Sequence, residues 1–329
     1  MTERIPPAPR IYRSLTELDG SGSRRAVTIG NFDGVHAGHR RILRRVVALA
    51  RERGWRAAAM IFEPHPSKVV APERAPRLLA TPGERCPLLA EEGIEEVLIL
   101  PFTPEIAALS PEEFARDILV AKLGAAAVIV GANFHFGRQQ AGDTRRLAEL
   151  GRTCGFLTGV VPEIVLRGHI ISSSQIRRLV EAGAVALAAR LLERPYWIEG
   201  GVVPGLKIGS TKTVPTLNLE TRAEVLPATG VYITRTRDLE SSLVWPSITN
   251  VGYRPTFHGA GLSIETHLLE PLADAGPARI RVEFLRRVRD EIRFPDSESL
   301  RTQILHDAAR AQRYFRLMDR LLYSRRITD

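Results

Sequence analysis

From residue 26 to about 161 the chain alternates short, unbroken apolar runs with segments whose apolar residues recur every three to four positions, and few folds accommodate that alternation. The runs are Ala26–Ile29, Ala57–Phe62, Val97–Leu100, Ala126–Val130 and Phe156–Val161. Segments of helical spacing lie between them, at about 38–53, 82–92, 111–123 and 142–153. Strands without a polar face must be covered on both sides, so the pattern predicts a parallel sheet sandwiched between helices. Ligands of such α/β sheets bind beyond the carboxyl ends of the strands. Three segments, GNFDG at 30–34, FEPHP at 62–66 and GANFHFG at 131–137, each follow a strand end and are expected to share one rim.

The first of these segments opens a helix. Residues 29–40 read IGNFDGVHAGHR, and from about Gly38 to Arg53 the residues Ile42, Leu43, Val46, Val47 and Ala50 keep helical spacing. Gly30, Gly34 and Gly38 let the backbone approach a ligand closely. His36 and His39 then stand at a helix N-terminus, about one turn apart and on one side. Free N–H groups and the positive end of the helix dipole attract anions to that place, and two imidazoles beside them suit a polyphosphate. A glycine-rich turn with two solvated histidines is the other reading of the same spacing.

Helical periodicity stops at Glu193-Arg194-Pro195-Tyr196, after a short helix near 184–192. Beyond it come β-type segments at Trp197–Val203, Val231–Thr236, Leu243–Thr249, Leu262–Leu269 and Ile280–Leu285, broken by Gly and Pro. That spacing predicts a closed or sandwiched antiparallel unit. A long helix follows at about 297–324, with Leu300, Ile304, Ala308, Ala311, Phe315 and Met318 at core positions. A chain of 329 residues can hold two cores, and the domains are expected at 1–190 and 191–329.

The net charge of +9 raises the question of nucleic acid. The arginines are scattered rather than gathered on one helix or patch, and no aromatic residues interleave with them for base stacking, so no nucleic-acid partner is expected. Scatter fits the binding of small anionic nucleotides. No apolar run approaches the roughly 18 residues of a membrane span, and MTERIPPAPRIYR lacks the apolar centre of a signal peptide. Cys86 and Cys154 are far apart and read as reduced thiols. The expectation is a cytoplasmic protein with small-molecule partners and no membrane; the sequence leaves its oligomeric state open.

His36-Ala37-Gly38-His39 matches the HxGH signature of the nucleotidylyltransferases, and the longer GNFDGVHAGH resembles the prokaryotic bifunctional riboflavin kinase/FAD synthetase family in particular. Three more segments resemble that family in the same order. Phe62-Glu63-Pro64-His65-Pro66 is similar to its F-D-P-H-P, Gly131-Ala132-Asn133-Phe134-His135-Phe136-Gly137 to its G-x-[DN]-F-x-F-G, and Ile171-Ser172-Ser173-Ser174-Gln175-Ile176-Arg177 to its I-S-S-T-x-I-R. The resemblance implies a Rossmann-like FMN adenylyltransferase domain in which His36, His39 and Arg177 are catalytic. It also implies that Gly30, Asn31, Phe32, Asp33, Gly38, Phe62, Pro64, His65, Asn133, Ser172 and Ser173 hold ATP or flavin. A phosphate acceptor is already ionised at neutral pH, so no general base is needed, and positioning with charge stabilisation carries the transfer. The histidines then serve as donors to phosphate oxygens.

The second half resembles the riboflavin kinase module. Pro215, Thr216 and Asn218 match the end of a glycine-rich loop closing in G-F-P-T-A-N; residues 250–257 resemble N-x-G-x-R-P-T-F, and 263–267 contain the family's Glu and His. This implies an antiparallel barrel with a terminal helix. Thr216 and Asn218 are implied as Mg²⁺ ligands, hard oxygens that suit that ion. Glu265 is implied as the base for the riboflavin hydroxyl, and Gly205, Gly209, Pro215, Asn250 and Arg254 as ATP or flavin contacts. Ser210, Lys212, Thr213 and Val214 depart from the family's loop, and its L-Y-G after the Glu strand is absent. GSTKT at 209–213 lacks the order of a Walker A loop. With ATP, riboflavin and FMN as substrates, the expected function is riboflavin to FMN to FAD. A monofunctional FAD synthetase with a flavin-binding, kinase-inactive barrel is the alternative.

Overall fold

The structure is a computed structural model and describes residues 8–18, 23–166, 168–204, 216–241, 243–256, 259–272, 276–292 and 294–328. It divides into two compact units, residues 1–175 and 176–329. That division falls ahead of the boundary expected near 190. The helix Val185–Leu192 groups with the second unit, and Ser173–Glu181 runs across the division.

The first unit is built on six parallel strands: β1 (Arg10–Tyr12), β2 (Arg25–Ile29), β3 (Arg56–Glu63), β4 (Glu96–Pro101), β5 (Ala125–Gly131) and β6 (Leu157–Val161). Their spatial order is β1-β4-β3-β2-β5-β6, and every pairing is parallel. β2, the sequence RAVTI, is buried along its whole length, its Arg25 side chain paired with Glu96 at 2.6 Å. The chain runs outward from β2 in both directions. The strand order therefore reverses between β2 and β5, and their carboxyl ends flank the crevice where such sheets bind ligands. GNFDG, FEPHP and GANFHFG sit at the carboxyl ends of β2, β3 and β5, on the one rim expected. The helix Ala37–Arg53 buries Leu43, Val46, Val47 and Ala50 and closes at Gly54, whose φ of 66° is the left-handed cap that glycine adopts at little cost. A short hairpin, β7 (Val165–Leu166) with β8 (His169–Ile170), precedes the division.

In the second unit, β9 (Tyr196–Val203), β10 (Thr216–Thr221), β11 (Gly230–Asp238), β12 (Val244–Thr256), β13 (Gly259–Leu268) and β14 (Arg279–Arg289) close into a barrel in the order β10-β13-β12-β11-β14-β9. Each pairing is antiparallel. Ala311, Tyr314 and Phe315 of the terminal helix Ser297–Thr328 pack with Val231, Ile233 and Ile248, which fixes that set as the outer face of β11 and β12. Side chains alternate along a strand, so Thr234, Thr236, Ser247 and Thr249 point inward. With Thr266 they form a fully buried chain of hydroxyls: Thr236 to Ser247, Ser247 to Thr234 and Thr234 to Thr249, each at 2.8 Å, then Thr249 to Thr266 at 2.9 Å.

Candidate active sites

The turn after β2 is held in an unfavourable shape. Phe32, Gly34 and Val35 take φ values of 47°, 77° and 39°. For phenylalanine and β-branched valine that conformation costs on the order of 1–3 kcal/mol each and persists only where the surroundings impose it. Five contacts do so. The buried carboxylate of Asp33 accepts the N–H groups of Leu79 and Ala80 at 2.8 and 3.1 Å. Ser173 Oγ donates to the Asp33 carbonyl at 2.9 Å, Arg85 donates to the Asn31 carbonyl at 2.6 Å, and the Phe32 ring packs edge-on to His39 with centroids 5.1 Å apart. Asp33, Phe32 and Ser173, expected to touch ligand, also hold the turn in shape.

His36 caps the helix that follows: its Nδ1 accepts the His39 N–H at 3.3 Å, which leaves the ring proton on Nε2. The two imidazoles stack, centroids 3.7 Å apart and planes 16° apart. Gly38 makes the stack possible, since a Cβ there would come within 3.0 Å of the His36 ring. Burial pushes His36 down to about 4. It also holds His39 well below the usual histidine range, with the neighbouring His36 adding to the effect. At neutral pH the pair therefore presents neutral N–H donors, not two cations. His39 Nδ1 is buried with no hydrogen-bond partner among the described residues, a donor-acceptor atom left over beside a helix N-terminus.

This depression has a measurable consequence. The unfolded chain takes up a proton at His36 near pH 6.5, the folded chain only near 4, so the unfolded state binds more protons between those values. Stability is then expected to fall as pH falls from 6.5 to 4. His36→Gln combined with His39→Gln should flatten that stretch of the melting-temperature profile. A parental slope in the double variant would assign it to other groups.

On the neighbouring strand end, His65 Nδ1 accepts the Ser67 N–H at 3.2 Å, and its Nε2 lies 2.8 Å from the side-chain amide of Asn31. The FEPHP loop and the β2 turn are therefore linked. Phe62 packs edge-on to Phe102. After β5, Asn133 is exposed, while Phe134 stacks on the buried Phe136, centroids 5.5 Å apart. Ser172 Oγ accepts the Gln175 N–H at 3.2 Å, the cap expected there. Arg177 lies in the same helix as Ser173 but beyond the division at 175.

In the barrel the expected residues gather on one face. Strand β13 pairs with both β10 and β12: Glu265 stands opposite Asn218 on one side and Asn250 on the other, and His267 opposite Thr216 and Ile248. Paired residues share a face, and Ile248 belongs to the outer one. Thr216, Asn218, Asn250, Glu265 and His267 therefore face outward, away from the hydroxyl chain. Thr216 Oγ1 lies 2.8 Å from His267 Nδ1, and Ser263 Oγ donates to Glu265 at 3.3 Å. Burial lowers His267 from its ordinary value despite the opposing pull of Glu265. His267 shares this face with Glu265, as two residues one pleat apart on a strand must. Arg254 pairs with Gly261 along the backbone of β12. Gly205, Gly209 and Pro215, with Ser210, Lys212, Thr213 and Val214, lie outside the described residues.

The FAD synthetase family matches residues 20–175 and the riboflavin kinase family residues 192–315. A Pseudomonas fluorescens protein named bifunctional riboflavin kinase/FMN adenylyltransferase is 38% identical over 304 residues, 92% of this chain and 97% of that one. A protein of the same name from Escherichia coli K12 is 36% identical over 291 residues, 88% of this chain and 93% of the relative. The chain belongs to the bifunctional riboflavin kinase/FMN adenylyltransferase family. A crystal structure titled macrolide-efflux protein, from Streptococcus pneumoniae, is similar with a TM-score of 0.83 at 26% identity, covering 93% of this chain and 99% of that one. No described helix of this chain is long and apolar enough to cross a membrane.

Proposed function

We propose that this chain phosphorylates riboflavin to FMN and then adenylylates FMN to FAD, using ATP in both steps. The observation that carries the reading is the convergence of Asn218, Asn250 and Glu265 on one barrel face in a chain whose other unit stacks His36 on His39 at a helix N-terminus. In the first step Glu265 accepts the proton of the ribityl hydroxyl as its oxygen bonds to the γ-phosphorus and ADP departs. In the second, an oxygen of the FMN phosphate attacks the α-phosphorus and pyrophosphate departs. The N–H groups of His36 and His39 stabilise the charge that develops on the phosphate oxygens, and Arg177 supplies a forked cation to the triphosphate. We assign adenylylation to residues 1–190 and phosphorylation to 191–329.

The donor set of the barrel fits Mg²⁺. Thr216 and Asn218 offer hard neutral oxygens beside the single carboxylate of Glu265. When bound, the ion would neutralise phosphate charge. Thr216 and Asn218 would hold it, and Glu265 would keep its proton-accepting role. Small molecules are the partners, in the cytoplasm, with no nucleic acid and no membrane; the scattered arginines and the two free cysteines support this.

Incubation with riboflavin, ATP and Mg²⁺, followed by chromatography of the flavins, tests the whole reading. FMN is expected first and FAD after it. FAD from supplied FMN, with no FMN from riboflavin, would instead favour the monofunctional synthetase.

A further inference from the structure

Arg85 belongs to no motif, yet it is one of the most buried large side chains of the first unit, 2% exposed in the middle of the helix Pro82–Glu91. Burying a guanidinium is unfavourable unless its donors are well used. Its fork reaches two segments from different strands. Nη1 donates to the Asn31 carbonyl at 2.6 Å, and Nη2 donates to Glu63 Oε2 at 3.2 Å. Asn31 begins the strained turn that carries His36; Glu63 begins Glu63-Pro64-His65. Glu63 is 40% exposed and could be solvated without a buried partner. Neutralising Glu63 therefore does not account for the arginine; its charge also offsets the buried Asp33 carboxylate, but that attraction does not require a fork reaching two separate segments. Bridging does.

We propose that Arg85 is a positioning residue for adenylyl transfer: its two-pronged contact sets the separation between the turn after β2 and the FEPHP loop after β3. The proposal rests on the reading that both segments line the adenylylation site. The turn presents the imidazoles, the loop lies beside it through His65 and Asn31, and transfer needs the acceptor phosphate and the α-phosphorus in line. A misplacement of about 1 Å in such a geometry costs on the order of 10²-fold in rate. Arginine suits the task because its planar fork is rigid, whereas lysine is a single point donor.

The test uses the full-length chain and the variants Arg85→Met, Arg85→Lys, Glu63→Gln and Arg85→Met with Glu63→Gln. FAD formation from FMN, FMN formation from riboflavin and the melting temperature are measured on each. Arg85→Met is expected to lower kcat for FAD formation about 10²-fold, with KM for ATP and FMN within about threefold of the parent and FMN formation unchanged. Adding Glu63→Gln should cost little more, because both changes cut the same tie. Arg85→Lys keeps the charge and one contact, and should leave kcat about three- to tenfold below the parent. A parental kcat per folded molecule in Arg85→Met, or losses that simply add in the double variant, would overturn the proposal. If Arg85→Met does not fold, Glu63→Gln and Arg85→Lys decide, and parental kcat in both overturns it. A parent that makes no FAD at all sinks the functional reading itself, which separates the two failures.

Discussion

Replacing Glu265 with glutamine is expected to lower FMN formation by about 10²–10⁴-fold, the usual span for loss of a general base, while FAD formation from supplied FMN continues at the parental rate. The substitution keeps the size of the side chain and its hydrogen bond from Ser263, so the barrel face should survive. What it removes is the proton acceptor for a primary alcohol, a group that does not ionise by itself at neutral pH. The measurement is a comparison of the two reactions on one preparation. A Glu265→Gln protein that phosphorylates riboflavin within a few-fold of the parent would assign the base to another group.

His39→Ala should have the opposite selectivity. FAD formation is expected to fall by about 10²–10³-fold, the typical cost of one donor to a developing oxyanion, with FMN formation intact. The geometry adds a complication, since His39 also stacks on His36 and receives the edge of Phe32. His39→Asn, which keeps a donor but loses the stack, separates the roles. A recovery of activity in the asparagine variant would point to the N–H, and equal losses in the two would point to the stack. Loss of both enzymatic activities in His39→Ala would contradict the assignment of separate sites.

Much of this was legible in the sequence because the two signals that carried it are local. Unbroken apolar runs marked β2 to β6, and the strand ends then placed three motifs on one rim. Where the signal was short, it was missed. β1 has three residues and buries only Tyr12. The T-L-N-L-E-T of β10 alternates as a strand should, yet its motif marks it as the end of a loop; Thr216 and Asn218 stand on a strand instead. A motif also displays its ligands and its scaffold with equal prominence. Only the folded chain shows that the carboxylate of Asp33 turns to the backbone of residues 79–80. Arg85 was silent for a different reason. Its partners lie 54 and 22 positions away, and a lone arginine on a short helix carries no period that would betray them. The neutrality of the histidine pair is likewise a property of enclosure, which composition does not encode.

The hydroxyl chain inside the barrel acts as a key for alignment. Each hydroxyl can donate to one neighbour and accept from another, so Thr236, Ser247, Thr234, Thr249 and Thr266 interlock only when β11, β12 and β13 keep their present offset. Sliding β13 by one position would drive Glu265 or His267 into that interior and strip the outer face of its carboxylate. Alignment is thus stored on the inward side of the strands, away from Glu265 and its neighbours. The outward positions of Thr216, Asn218, Asn250 and Glu265 can then be varied, by evolutionary drift or by an engineer seeking a different flavin analogue, without disturbing that inner alignment, provided Val231, Ile233 and Ile248 keep their packing on the terminal helix.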